Sequence, residues 1–309
     1  MMDEQNNPKI KFIGQMSSRI FQRVIRGQIN YETDMKTLQK YRDMASQENA
    51  PRQEAAITNT MAILNSMAGH LKLAEQQLTD LFEIYKRLDN LSGMALAYNN
   101  KAFLLVSLGR YAEAEAIYIE ALAFCEAHPE ETFRMYARIL SGLLAVGYMR
   151  QQYENVPLYF GKIEALQDKL LENNRENYAN IMTEAYRNMG EYHLHQKDYA
   201  QAQSMIRLGM SFAQSLDLPF ELADLYYTQA HIALVMGNAD EAESSWTKAL
   251  ETLDKVTAKA NVGRNLTEEA RYLARHGYKD HSRRFAKYAY DIFEGLNMTE
   301  DANLAVALL

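Results

Sequence analysis

A single pattern recurs seven times along the chain, and no other feature constrains the fold as tightly. Three segments align without gaps: Leu108–Leu122 (LGRYAEAEAIYIEAL), Gln196–Met210 (QKDYAQAQSMIRLGM) and Met236–Leu250 (MGNADEAESSWTKAL). Each opens near a turn residue, and a small residue follows a few positions later and again after seven more. Ala114, Ala202 and Ala242 mark the phase, with weaker copies at Asp34, Ala74, Val156 and Ser282. Successive markers lie 40, 40, 42, 46, 40 and 40 residues apart. A unit this short cannot enclose a core by itself, so the copies must stack on one another.

Each copy reads as a helical hairpin. Small residues at the marker and seven later let two antiparallel helices approach, while large residues four and eight away fill the space between them. Gly69, Gly109, Gly237 and Gly277 all stand five residues before their markers, where the first helix must end and the chain turn. Tyr31, Tyr111, Tyr153 and Tyr199 stand three before theirs and pack the start of the second helix. Pro51, Pro129 and Pro219 fall in the gaps between hairpins, where a missing N–H costs least, and Pro157 falls in the first turn of a second helix. Five prolines and 14 glycines are too few for an all-β chain. The expected class is therefore all-α, an α-solenoid of about seven hairpins.

At Ala102, Gly109, Tyr111, Ala114, Tyr118 and Ala121 the chain resembles the tetratricopeptide repeat (TPR) family. The same pattern returns at Gly190, Tyr199, Ala202, Ile206 and Gly209, and at Ala230, Gly237, Ala242, Trp246 and Ala249. The resemblance covers about residues 15 to 309. It implies a right-handed superhelix whose first helices line a concave groove. The period exceeds the roughly 34 residues of the minimal repeat, so each helix is about one turn longer. In this the chain looks like MalT-type transcription regulators, Rap-type peptide receptors and kinesin light chains.

Carried over position by position, the resemblance puts Asn59, Ile63, Asn99, Phe103, Arg138, Ser141 and Tyr148 on the N-terminal half of the groove. The C-terminal half receives Glu184, Arg187, Glu191, Asp224, Tyr227, His231, Arg264, Arg271 and Arg275. Asn59 and Asn99 suit a peptide backbone, and the arginines suit carboxylate or phosphate groups. Arg264, Arg271 and Arg275 share one helical face by their spacings of 7 and 4. The candidate partner-binding set is Asn59, Asn99, Phe103, Arg138, Arg187, Tyr227, His231, Arg264, Arg271 and Arg275. The Lys and Asn pattern with which chaperone-binding TPR domains hold a terminal carboxylate is missing.

The chain divides into a tail (1–14), an N-terminal array of about four hairpins (15–170), an elongated helix or hinge (171–182), a C-terminal array of about three hairpins (183–302) and a last stretch (303–309). The hinge expectation rests on Asn173, Asn174, Asn177 and Asn180, which are poor helix formers inside the longest interval. Ile10, Ile13, Ile20, Val24 and Ile25 give a basic amphipathic helix, read as the first helix of the first repeat. Asn303–Leu309 opens an eighth hairpin, or docks on the array or a partner, a homodimer included.

Catalytic signatures are missing from the sequence. It contains no GxxxxGK[ST], HExxH, GxSxG or strand-linked GxGxxG motif. Cys125, the one cysteine, has acidic neighbours that disfavour a thiolate. His193 and His195, two apart on a helix, diverge too far to share a metal. No cofactor, metal or catalytic residue is expected. The formal charge of −7 disfavours nucleic acid, although residues 5–30 carry +5 and residues 264–287 carry +4. The longest apolar run, Gly142–Met149, is less than half a membrane span. The expectation is a cytoplasmic, non-catalytic scaffold that binds a peptide or protein in its groove. The alternative is the sensor domain of a bacterial signalling or transcription regulator, responding to a small ligand or peptide.

Overall fold

The computed structural model describes residues 7–25, 30–173, 175–254 and 260–309, and among these every regular element is an α-helix. The hairpins pair α1 (Pro8–Ile25) with α2 (Tyr31–Gln47), α3 (Pro51–Met67) with α4 (Leu71–Arg87), and α5 (Leu91–Ser107) with α6 (Tyr111–Ala127). They continue with α7 (Pro129–Met149) and α8 (Val156–Glu164), then the short α9 (Gln167–Asn173), then α10 (Arg175–His195) and α11 (Tyr199–Ser215). Next come α12 (Pro219–Val235) with α13 (Ala239–Leu253) and α14 (Ala260–Arg275) with α15 (Lys279–Gly295), followed by α16 (Thr299–Val306). The seven phase markers all lie on second helices, and all seven are buried. Where the marker is not apolar it is bonded: Asp34 pairs with Arg23 and accepts the Asn30 N–H at 3.0 Å, and Ser282 donates to the Ala270 carbonyl at 2.9 Å.

The turns explain the register. Gly69, Gly109, Gly237 and Gly277 have φ of +80°, +70°, +77° and +88°. Gln151 (φ 56°) and Lys197 (φ 61°) fill the same place in the two described hairpins that lack the glycine. The left-handed residue brings the next N–H back onto the carbonyl five residues earlier, as in His70 to Asn65 at 2.8 Å and Arg110 to Leu105 at 2.9 Å. Asn49, Asp89, Asp217 and Asn297 perform the same reversal between hairpins. These side chains tolerate the left-handed region best after glycine.

Three sequence expectations shift in detail. Pro51, Pro129 and Pro219 do not sit in linkers but open α3, α7 and α12, where proline's fixed φ starts a helix and its missing N–H has no partner to lose. Pro8 opens α1 likewise, so the helical array begins before residue 15. The last helix starts at Thr299, four residues before Asn303. The longest interval is taken up by α9 and a 21-residue α10, with residue 174 outside the described residues. A single core cluster includes Phe160, Ile163, Leu170, Ile181, Met182 and Ala185 and so spans that interval. At the N-terminus, Ile10, Ile13, Ile20 and Val24 are buried in the first core cluster, with α1 packed on α2 and α3. Residues 26–29 lie outside the described residues.

Successive first helices pack on one another (α1 on α3, α5 on α7, α7 on α10, α10 on α12, α14 on α16) more closely than successive second helices do. A layer whose helices stand closer together has the smaller radius, so the first helices form the concave side. Small residues allow the hairpins to close. A Cβ at Gly142 would lie 2.3 Å from the ring of the buried Tyr118. No helix among the described residues is long and apolar enough to cross a membrane.

Candidate binding groove

Counting six residues back from each hairpin turn gives Ile63, Phe103, Ala145, Glu191, His231 and Arg271. This row changes from apolar to charged along the inner layer. Phe103 is 59% exposed and Met149 46% exposed on the N-terminal part. Large apolar side chains left in water on a concave face are a feature of binding surfaces.

Polar side chains bridge successive inner helices. Asn100 of α5 donates to Asn59 of α3 at 2.8 Å, and Asn99 donates to Asn100 at 3.3 Å. Ser141 of α7 donates to Glu184 of α10 at 2.8 Å. Thr228 of α12 donates to the buried Glu191 of α10 at 2.7 Å. His231 of α12 meets the buried Glu269 of α14 at 3.1 Å, and Asn265 of α14 reaches back to Asp224 of α12 at 3.3 Å. Arg264 of α14 pairs with Asp301 of α16 at 3.0 Å.

The C-terminal half is dense in carboxylates, and the neighbouring titratable groups feel them. Burial pushes the Asp224 carboxyl up to about 6; Arg187 and the Asn265 hydrogen bond oppose this, while Glu221 and Glu184 add to it. The Tyr148 hydroxyl is held well above its ordinary range, first by the charge of Glu191 and then by burial. Burial favours the neutral form of His231, but Glu269, by charge and hydrogen bond, and Glu191 outweigh it and raise its pKa. The His231 ring lies 3.8 Å from that of Tyr272. Trp246 closes the cluster from α13, its Nε1–H donating to Glu269 at 2.8 Å.

The ten candidate residues meet different fates. Asn59 and Asn99 join through Asn100, and Phe103 stands exposed beside them on α5. Arg138 and Arg187 are half-buried on α7 and α10. Tyr227 is buried, edge-on to Phe285 at 5.5 Å, and belongs to the core instead of the groove surface, because α12 turns that position toward α15. His231 is engaged with Glu269. The three arginines of α14 do not form a free cationic face: Arg264 is taken by Asp301 and Arg271 by Glu268. Arg275 alone of the three is exposed with no ion-pair partner among the described residues.

Asn100, Thr228, Asn265, Glu269 and Asp301 were missed. The signal was in the chain, since these bridges link residues 37 to 41 positions apart, one repeat length. Away from the groove, a depression of about 440 Å³ is lined by Asp240, Glu243, Ser244, Thr247, Lys248 and Glu251. All six belong to α13, so no second element closes over it. Among the described residues no three His, Cys, Asp or Glu side chains are grouped to hold a metal ion.

Comparison with known proteins agrees with this geometry. The family model described as tetratricopeptide repeat matches residues 95–128, which are α5 from Ala95 onward and all of α6. Tetratricopeptide repeat protein 21B of Xenopus laevis is 24% identical over 197 residues, covering 62% of this chain and 14% of that protein. The fold is similar to aspartyl phosphate phosphatase F from Bacillus subtilis (TM-score 0.61, 14% identity, 99% of this chain and 72% of that one). It is similar also to the Rap conjugation gene regulator of the plasmid pLS20 in complex with the Phr* peptide (TM-score 0.61, 16% identity, 98% of this chain and 79% of that one).

Proposed function

Because the chain is a tetratricopeptide-repeat solenoid, we propose that it is a non-catalytic module that binds a peptide or an extended protein segment in its concave groove. The observation that carries this is the inner face of α5 and α7. There an exposed Phe103 and an exposed Met149 lie on the same layer as the linked amides of Asn59, Asn99 and Asn100. An apolar anchor beside amides suits a peptide, which offers side chains and main-chain polar groups together. The peptide-bound Rap regulator of similar fold supports the same reading.

Hydrogen exchange on the protein with and without a bound heptapeptide tests it. New protection on α5, α7, α10 and α12 is expected. Protection confined to α6, α11 and α13 would move the site to the outer face and overturn the proposal.

A second reading, a ligand-responsive regulatory domain, is favoured by the fold it shares with the Rap regulator. It requires that a ligand change the superhelix pitch. The radius of gyration in solution scattering should then shift on peptide addition, and an unchanged value leaves the plain scaffold.

A further inference from the structure

The groove's ligand can be specified further, on the premise that the groove is the binding site. We propose that it takes an extended peptide bearing a cationic side chain, with the main chain bound by Asn188 where α7 meets α10 and the charge met by Glu184, Glu191 and Asp224.

Asn188 is 2% exposed, and neither atom of its amide has a hydrogen-bond partner. Leaving both a donor and an acceptor buried and unpaired is costly, and native proteins tolerate it rarely. The imbalance is local: of the six such atoms among the described residues, four lie on α10, from Asn180, Thr183 and Asn188.

Register explains why Asn188 is left over. Nine residues before the hairpin turn, α12 carries Thr228, which donates to Glu191, six before the turn of α10. One hairpin earlier the same two places hold Asn188 and Ala145. Where Thr228 finds a carboxylate, the equivalent register position offers Asn188 only the methyl group of Ala145. One amide donor and one amide acceptor complement a peptide group. A chain that parts α7 from α10 there supplies the missing partners.

Charge decides what that chain carries. Glu184, Glu191, Asp224, Glu221 and Glu269 lie on the inner helices α10, α12 and α14, while Arg187 and His231 are set among them, His231 already engaged by Glu269. Arg264 and Arg271 of α14, which would invite an acidic ligand, are spent on Asp301 and Glu268, and the exposed Arg275 lies in the last turn of the helix. Burial first, and then Glu221 and Glu184, push the Asp224 carboxyl up to about 6 against the opposing Arg187 and Asn265. Tyr148, beside Glu191, adds an aromatic face that favours a cation.

The probe is an array of N-acetylated, C-amidated heptapeptides with Lys, Arg, Asp or Glu fixed at one position, followed by fluorescence anisotropy on the retained sequences. Wild type should retain the Lys and Arg sets. Glu184→Gln and Asp224→Asn should each weaken those peptides about two- to fivefold, the effect of one partly exposed charge, and leave neutral ones unchanged. Asn188→Leu keeps the shape and removes the unpaired amide. It should raise Tm while weakening binding about tenfold or more, the worth of a lost buried hydrogen bond. A structural role would have Asn188→Leu lower Tm and leave affinity unchanged, which overturns the assignment of Asn188. Retention of the Asp and Glu sets alone overturns the cationic ligand and leaves the groove standing. If wild type retains no peptide at all, the groove reading fails as well.

Discussion

His231 reaches from α12 to Glu269 of α14, its Nε2 3.1 Å from Oε1 and 3.2 Å from Oε2 of the carboxylate. Trp246, the only tryptophan, donates to the same Oε1 at 2.8 Å, so its fluorescence reports on this pair directly. Burial opposes the charged ring, but Glu269 and Glu191 outweigh it and the folded-state pKa is raised. The stabilisation is fully present below the unfolded value of about 6.5 and is lost as pH rises through the folded value. Thermal unfolding followed at Trp246 should show stability falling from about pH 6.5 upward, and Glu269→Gln should flatten that slope. A slope that survives in the variant would place its origin elsewhere.

Asp224 titrates in a lower window. Its carboxyl group is pushed up to about 6, first by burial, so the folded protein favours the protonated form. The corresponding stability is present below the ordinary aspartate range and is lost as pH rises through about 6. Asp224→Asn should therefore match wild type near pH 4 and exceed it at pH 7 by about 1–3 kcal/mol. Denaturant titrations at the two pH values decide it, and equal stability at pH 7 would mean a well-solvated carboxylate.

Gly142 of α7 is held to its size by Tyr118 of α6, whose ring lies 2.3 Å from where a Cβ would stand. Tyr118 is 3% exposed and cannot swing into solvent. Gly142→Ala should cost about 1–3 kcal/mol by overpacking, despite alanine's better helix propensity. Gly14, with nothing within 4 Å of the same position, serves as the control: Gly14→Ala should be neutral or stabilising.

Lys197 occupies the turn place that glycine holds in four other hairpins, at φ 61°. Lys197→Gly should stabilise by about 0.5–1 kcal/mol through relief of the left-handed penalty, less the entropy of the unfolded glycine. Gly109→Ala, at φ +70°, should destabilise by a similar amount. Opposite signs in urea melts are the expected outcome, and equal signs would show that the turn is not the controlling element.

Much of the fold was legible because its determinants are local and repeated. The buried markers, the left-handed glycines and the length of each helix all follow from residues within one period. The groove was legible only in outline. Asn59, Asn99 and Phe103 were found from their repeat positions, and the structure leaves them on the inner layer. Tyr227 shares the same pattern and is buried, because its ring turns inward to meet Phe285 of α15 in the core.

What the sequence determined by itself was the stack: a small residue every 40 to 46 positions admits helices only as hairpins, and hairpins with one open face only as a solenoid. What the tertiary structure decided was which charges of the inner helices are paired and which buried amide is left without a partner. Arg264 and Arg271 looked like a cationic site until Asp301 and Glu268 were found beside them. Asn188 looked ordinary until its amide was found buried with neither atom partnered. Charge and hydrogen-bond balance are sums over neighbours distant in the chain, and those neighbours are assigned only when the hairpins stack.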